Sequence, residues 1–393
     1  MTATPKGFKL ATINAGFRQK ERPDVALLVS DYPAVTAATF TQAAFVAAPV
    51  IVAKELMATN TPKRAVLINT GQANACTGEE GIANCRETLR LVAKACDLDA
   101  AEILPASTGV IGDQMKMDLW EKAIEPLADK LGTASVEDYA NAMRTTDAFP
   151  KFGGATVKLE GGTVTLAGMA KGAGMICPNM ATMICVVLCD AMVDRPVWQA
   201  MFKTAVDKTF NRVTVDGDTS TNDTVYGLAN GASGVTVQQA DYALLQDALV
   251  KILGDLAYML VQDGEGATKV MHISVTGAND DADAEKIART VGHSQLVKTA
   301  MYGKDANWGR IAAAVGRSGA SFNAKDVRVT LCGVEVFRDE QPTASNFDAE
   351  LKEPLQQRDI PIDIVVGTGS GSYTLLASDL THKYVDINAE YRS

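Results

Sequence analysis

Histidine is almost missing from this chain: His272, His293 and His382 are the three found in 393 residues. None stands in a motif with a nucleophile, so triad-type acid–base chemistry has little to draw on. Seven cysteines, an odd number, include no CxxC pair. That spacing speaks against a zinc site, so no metal is expected, and it fits reduced, buried cytosolic thiols. GxSxG, GxxxxGK[ST] and a complete GxGxxG are all absent. The hydrolase elbow and the nucleotide-binding loops are thereby set aside. No apolar run reaches membrane-spanning length, and Met1–Gly7 carries no apolar h-region. The expectation is a cytoplasmic protein without membrane contact. Positive charge is also short: 37 Lys and Arg against 47 Asp and Glu leave −10. There is no basic footprint for nucleic acid.

What is present is an ordinary globular composition, 47% hydrophobic and 21% charged, in a chain longer than one typical domain. Phe8–Ile13 and Val25–Ser30 read as a hairpin, and Ala34–Ala47 as a further strand of the same sheet. Ala65–Ile68 reads as a buried strand leading into the small polar loop Asn69–Gly78. Ile82, Cys85, Leu89, Val92 and Cys96 step by three and four, which predicts a helix. Further helices are expected at Leu119–Leu131 and Val136–Met143, the latter with Ser135 as N-cap. A Gly161-Gly162 hairpin, helices near Val197–Val206 and Tyr242–Leu256, and a strand at His272–Val275 follow. The Asp216–Thr224 loop has calcium-like Asp spacing but lacks the EF-hand glycine and terminal Glu. Val327–Leu331 with Val334–Phe337, and Ile362–Val366 with Tyr373–Ala377, read as two hairpins. This alternation suggests a smaller C-terminal α+β domain, residues 276–393, after a larger domain, residues 1–275.

Two stretches carry candidate chemistry. In Pro105-Ala106-Ser107-Thr108-Gly109-Val110-Ile111-Gly112, two glycines expose backbone donors, as a plain turn or as a pair aimed at an oxyanion. The second runs from Lys171 to Leu188. A Gly-rich approach and a Pro178-Asn179 turn lead into a short apolar strand, with Thr182 at the junction. Thr182 reads as a β-branched residue opening a strand, or as a nucleophile. Threonine needs an adjacent base, and one solution makes it the first residue of a chain, so that its own α-amine serves. That solution requires the Ala181–Thr182 bond to be cut.

The stretch Lys171-Gly172-Ala173-Gly174-Met175 followed by Pro178-Asn179-Met180-Ala181-Thr182-Met183 resembles the self-cleavage signature of the ornithine acetyltransferase (glutamate N-acetyltransferase) family of arginine biosynthesis. Other loops agree in the same order: Asn69–Gly78, Ser107–Gly112, Thr145-Thr146-Asp147, Asp216–Thr224, Asp263–Lys269, Asn307-Trp308-Gly309-Arg310 and the ending Ile387–Ser393. The resemblance covers nearly the whole chain. It implies a layered α/β (α+β) sandwich of the self-cleaving aminopeptidase/ornithine acetyltransferase type. It implies cleavage into residues 1–181 and 182–393, with the fragments held together as a heterotetramer of two of each.

The implied reaction moves acetyl from N2-acetylornithine to L-glutamate through an acetyl-Thr182 ester. No cofactor is implied, and acetyl-CoA as an additional donor is left open. By motif position Thr108 and Gly109 form the oxyanion hole, and Thr145, Lys171, Thr182, Glu265, Asn388 and Ser393 bind substrate. Neutral donors suit a tetrahedral oxyanion. Lys171 and Glu265 suit the carboxylate and ammonium of an amino acid. Gln72, where the family often has Asn, and Ser393, where it often has Thr, keep the hydrogen-bonding type. Two other classes stay open from the residues: a self-cleaving N-terminal-nucleophile aminopeptidase or amidase, and a non-enzymatic binding protein that stays uncut.

Overall fold

The computed structural model describes residues 2–18, 22–177 and 183–390. In chain order the strands are β1 (Phe8–Ile13), β2 (Val25–Phe40), β3 (Lys63–Gln72), β4 (Ile103–Val110) and β5 (Lys151–Leu159). Next come β6 (Gly162–Lys171), β7 (Ile184–Cys189), β8 (Val213–Thr214), β9 (Thr224–Ala229) and β10 (Val270–Ala278). The last are β11 (Arg328–Leu331), β12 (Val334–Arg338), β13 (Gln341–Pro342), β14 (Asp359–Val365) and β15 (Gly371–Ser378). The described residues form two α/β units. One holds the residues up to Asn211 together with Asp218–Leu260, and the other holds Arg212–Gly217 and the residues from Val261 on. This break precedes the expected one at residue 275/276, which would fall inside β10. No helix among the described residues is long and apolar enough to cross a membrane.

The first unit is built on an eight-stranded sheet ordered β4-β3-β2-β9-β7-β6-β5, with β1 paired to β2. Alternation along the strands sends side chains to opposite faces. Val66 and Ile68 join one apolar cluster with Leu28, Leu104, Tyr139 and Met143. Ala65 and Leu67 join another with Leu89, Ile103, Trp120 and Ile124. Every residue of β7 is buried, as a strand flanked by partners and covered on both faces should be. β7 lies antiparallel to β6 with Lys171 opposite Ile184, and parallel to β9. The predicted helix at 82–96 spans Gly78–Cys96 and buries Cys85, Leu89 and Val92. Helix Val136–Met143 starts at a reciprocal cap, in which Ser135 and Asp138 satisfy each other's backbone N–H.

Two expectations for the first half change. The stretch read as a separate strand at Ala34–Ala47 is the continuation of β2, which shifts register between Val29 and Ala34 and then pairs with β9. After Phe40 the chain turns into a helix, Ala48–Ala58, that sequence pattern did not reveal. Its Val50-Ile51-Val52 run favours strand by local preference, but Val50, Val52 and Ala53 are buried by packing.

The second unit has a seven-stranded sheet ordered β13-β12-β11-β14-β10-β15-β8. Its core packs Ile273, Val275, Ile362, Ile364 and Leu375 against Ile287, Val291, Val297 and Ile311. The expected second hairpin does not form. β10 lies between β14 and β15, parallel to the first and antiparallel to the second. The connection crosses the end of β10 at backbone contact, where a Cβ on Gly277 would sit 2.2 Å from the Gly367 carbonyl oxygen. Glycine at both crossing points permits a jump that looks local in sequence.

Candidate active site

Four of the expected site residues lie in the first unit. Thr108 and Gly109 lie just before the last residue of β4, registered in parallel against Thr70 and Gly71 of β3. Gly109 has φ 137°, and a Cβ there would sit 2.3 Å from the Gly71 carbonyl carbon. Only glycine fits this close approach to the β3 backbone, and Gly109 stands half-buried next to Thr108. Lys171, the last residue of β6, is 8% exposed. Its Nζ donates to Thr108 Oγ1 at 3.3 Å. Gly112, read as a second oxyanion donor, is not available for that role: its N–H donates to the Ala75 carbonyl at 2.9 Å.

Thr145 follows helix Val136–Met143, and its loop is fixed by charge. Arg18 and Arg22 donate to the Arg144 and Thr145 carbonyls. Asp147 accepts the Thr145 N–H at 2.9 Å and the Gly172 N–H at 2.6 Å. It also accepts Lys151 Nζ at 2.7 Å, both side chains being fully buried. Burial opposes ionisation of Asp147. The charges of Lys151 and Lys171, with hydrogen bonds from Lys151 and Gly172, outweigh it and hold the carboxyl below the usual carboxylate range.

A second neutral network stands behind Thr108. Asn222 Nδ2 donates to the Ala73 carbonyl at 2.6 Å and the Ser107 carbonyl at 2.9 Å, tying the ends of β3 and β4 together. Ser107 Oγ donates to Asn69 Oδ1 at 2.6 Å. Gln72 is held through its side-chain amide by the Gln114 carbonyl and the Lys116 N–H. Sequence reasoning gave Asn222 and Asp147 no role of their own. The signal available was an Asn or Asp, apt to bond nearby backbone, inside an otherwise small polar loop.

Glu265 and Asn388 lie in the second unit and touch: Asn388 Nδ2 donates to Glu265 Oε2 at 2.7 Å. Asp379 makes this pairing possible. It accepts Thr268 N–H, Thr268 Oγ1 and Lys269 N–H, while Thr381 Oγ1 donates to the Gly266 carbonyl. These bonds fasten the Glu265 loop to the start of helix His382–Glu390, which carries Asn388. Ala181, Thr182 and Ser393 lie outside the described residues. Next to the expected cleavage position among the described residues, Thr224 N–H donates to the Met183 carbonyl at 3.0 Å. On the preceding side, Thr219 Oγ1 donates to the Cys177 carbonyl at 2.9 Å. The cysteines are less uniformly buried than expected: Cys85, Cys185 and Cys189 are buried, but Cys76 is exposed.

Fold and site together define a two-sheet α/β protein that presents a hydroxyl donor and a glycine backbone beside a lysine, with a buried carboxylate behind them. The chain belongs to the ArgJ family, whose model matches residues 9–393. A curated relative from Nitratidesulfovibrio vulgaris, "Arginine biosynthesis bifunctional protein ArgJ", is 65% identical over the full length of both chains. One of the same description from Syntrophotalea carbinolica is 44% identical over 98% of this chain and 99% of its own. Among solved structures, ornithine acetyltransferase complexed with ornithine from Mycobacterium tuberculosis is 32% identical. It covers 45% of this chain and 94% of its own, with a TM-score of 0.40.

Proposed function

We propose that this chain is a glutamate N-acetyltransferase of arginine biosynthesis, moving acetyl from N2-acetylornithine to L-glutamate. Membership of the ArgJ family over residues 9–393 is the observation that carries this reading. The word "bifunctional" in the relatives' name supports acetyl-CoA as a second acetyl donor. The proposal includes self-cleavage between Ala181 and Thr182, with fragments 1–181 and 182–393 remaining together as two of each, in the cytoplasm and without a cofactor.

The chemistry follows from the nucleophile. Once Thr182 heads its fragment, its α-amine, with a reference pKa of about 8, takes the hydroxyl proton. The hydroxyl oxygen attacks the acetyl carbonyl of N2-acetylornithine. Thr108 and the Gly109 N–H stabilise the resulting oxyanion. The C–N bond breaks, the departing amine takes the proton, and ornithine leaves an acetyl ester on Thr182. Glutamate's amine then attacks that ester and regenerates the Thr182 hydroxyl. Thr145, Lys171, Glu265, Asn388 and Ser393 hold the amino-acid ends of donor and acceptor.

The test is initial-rate kinetics with both substrates varied, joined to intact-mass spectrometry. Parallel lines and a one-acetyl mass increase on the 182–393 fragment when acceptor is withheld are expected. Intersecting lines with no acetylated fragment would remove the covalent intermediate. Release of free acetate or amide hydrolysis without acceptor would favour the aminopeptidase reading.

A further inference from the structure

The Asp147–Lys151 pair invites a purely structural explanation, because both side chains are fully buried. Stability alone explains it poorly. Burying two charges costs several kcal/mol of desolvation, and apolar replacements of similar volume are often as stable. What an apolar pair could not do is accept backbone hydrogen bonds. Asp147 takes the Gly172 N–H on Oδ1 and the Thr145 N–H on Oδ2. Gly172 directly follows Lys171, and Thr145 is itself a candidate substrate residue. The two oxygens of one carboxylate therefore fasten both groups, although Gly172 lies 25 positions from Asp147 along the chain.

The rest of the loop is braced from the other side. Arg18 and Arg22 hold the Arg144 and Thr145 carbonyls, and Arg144 turns its guanidinium onto the Asp147 and Ala148 carbonyls. Cationic donors thus fix the loop's carbonyls while Asp147 fixes its inward N–H. Through Gly172 the same carboxylate sets where β6 ends, and so where Lys171 meets Thr108 Oγ1.

We propose that Asp147 is a positioning residue for acetyl transfer. Its carboxylate sets the separation of Thr145 from Lys171 and, through Lys171, the orientation of the Thr108 hydroxyl. The inference rests on the transfer reaction proposed above for what is being positioned. Asparagine at 147 is the discriminating change. Its side chain has one acceptor oxygen and an NH2 group, so one of the two backbone N–H groups must face a donor. Its loss should therefore be felt at the substrate, not only in stability.

The experiment compares wild type with Asp147→Asn and with Asp147→Asn/Lys151→Met, the latter also removing the buried lysine charge that pairs with Asp147 in the wild type. Three quantities are read: Tm, KM for both amino-acid substrates, and hydrogen exchange of the peptides spanning 144–149 and 171–177. Losing a hydrogen bond to a charged group corresponds to about 10- to 100-fold. KM should rise by that factor in both variants, with faster exchange in both peptides, while Tm recovers towards wild type in the double variant. KM and exchange returning to wild-type values along with Tm would overturn the proposal, leaving Asp147 only as the charge partner of Lys151. A wild-type protein that transfers no acetyl would overturn the reaction assignment instead. The anchoring is then decided by the exchange data alone: slow, wild-type exchange in the double variant sinks it, and fast exchange in both peptides upholds it.

Discussion

Lys171 Nζ donates to Thr108 Oγ1 across 3.3 Å. An ammonium has only donors, so the hydroxyl oxygen accepts from it and must direct its own proton elsewhere. A hydroxyl that accepts from a cation is a stronger donor in turn. The geometry thus suits Thr108 to the proposed role of oxyanion donor and gives Lys171 a contact beside the substrate role proposed for it.

Thr108→Ala should lower kcat by about 10²–10³, the typical cost of one oxyanion donor. Thr108→Ser, which keeps the hydroxyl, should lose far less. The side chain is only half-buried, so Tm should shift little in either variant. Steady-state kinetics beside a melting curve checks this, and an unchanged kcat in a folded Thr108→Ala protein would remove Thr108 from the mechanism.

Much of the scaffold around this pair was legible, because it is local. The three-and-four spacing of Cys85, Leu89 and Val92 foretold the helix Gly78–Cys96, and Ser135 was readable as a cap. The apolar run ending at Leu188 read as a short strand, and it lies in β7, every residue of which is buried. Long-range choices were not legible. Nothing in Ile362–Ala377 says that β10, some 90 residues earlier in the chain, separates its two strands. The site divides in the same way. Thr108, Lys171 and Glu265 were singled out through the family resemblance of their motifs. Asp147 and Asn222 act by holding backbone groups from distant segments, and only folding shows which groups those are.

Cleavage makes a prediction about the chain itself. Purified protein should appear as two fragments, 1–181 and 182–393, without added protease. Thr182→Ala should remain a single chain, because alanine lacks the attacking hydroxyl, whereas Thr182→Ser should still cut. A denaturing gel and N-terminal sequencing decide the matter. Continued cutting of Thr182→Ala at the same bond would point to an outside protease.

Glu265 and Asn388 should behave as a coupled pair. Asn388 Nδ2 reaches Glu265 Oε2 at 2.7 Å, which orients a carboxylate suited to a substrate ammonium. Glu265→Gln removes the charge and should raise KM for N2-acetylornithine by about 10- to 100-fold, the worth of a charged hydrogen bond. Asn388→Ala leaves the charge but frees its orientation and should cost less. If the two effects add fully in the double variant, the residues act independently and the coupling is wrong.

Lys298 provides a pH-dependent test of the second unit. Its ammonium is buried and donates to the carbonyls of Val215 and Ser378 at 2.5 and 2.6 Å. Burial pulls its pKa down to about 8, against the opposing pull of Asp216 and Asp379. In the unfolded chain a lysine titrates at about 10.4. Below pH 8 both states carry the proton, and the folded state bears the full cost of burying the charge. Between roughly pH 8 and 10.4 the unfolded state binds the proton and the folded state does not, so stability gains with rising pH. The slope is at most about 1.4 kcal/mol per pH unit for one proton. Lys298→Met lacks this titration but keeps every other one. Its carbonyl partners lose a donor, so it should be less stable than wild type at every pH. The Tm gap in favour of wild type should therefore widen from pH 8 to pH 10 and stay flat from pH 6 to pH 7.5. A gap that stays flat from pH 8 to pH 10 would mean that Lys298 stays charged in the folded protein and that its carbonyl partners offset burial.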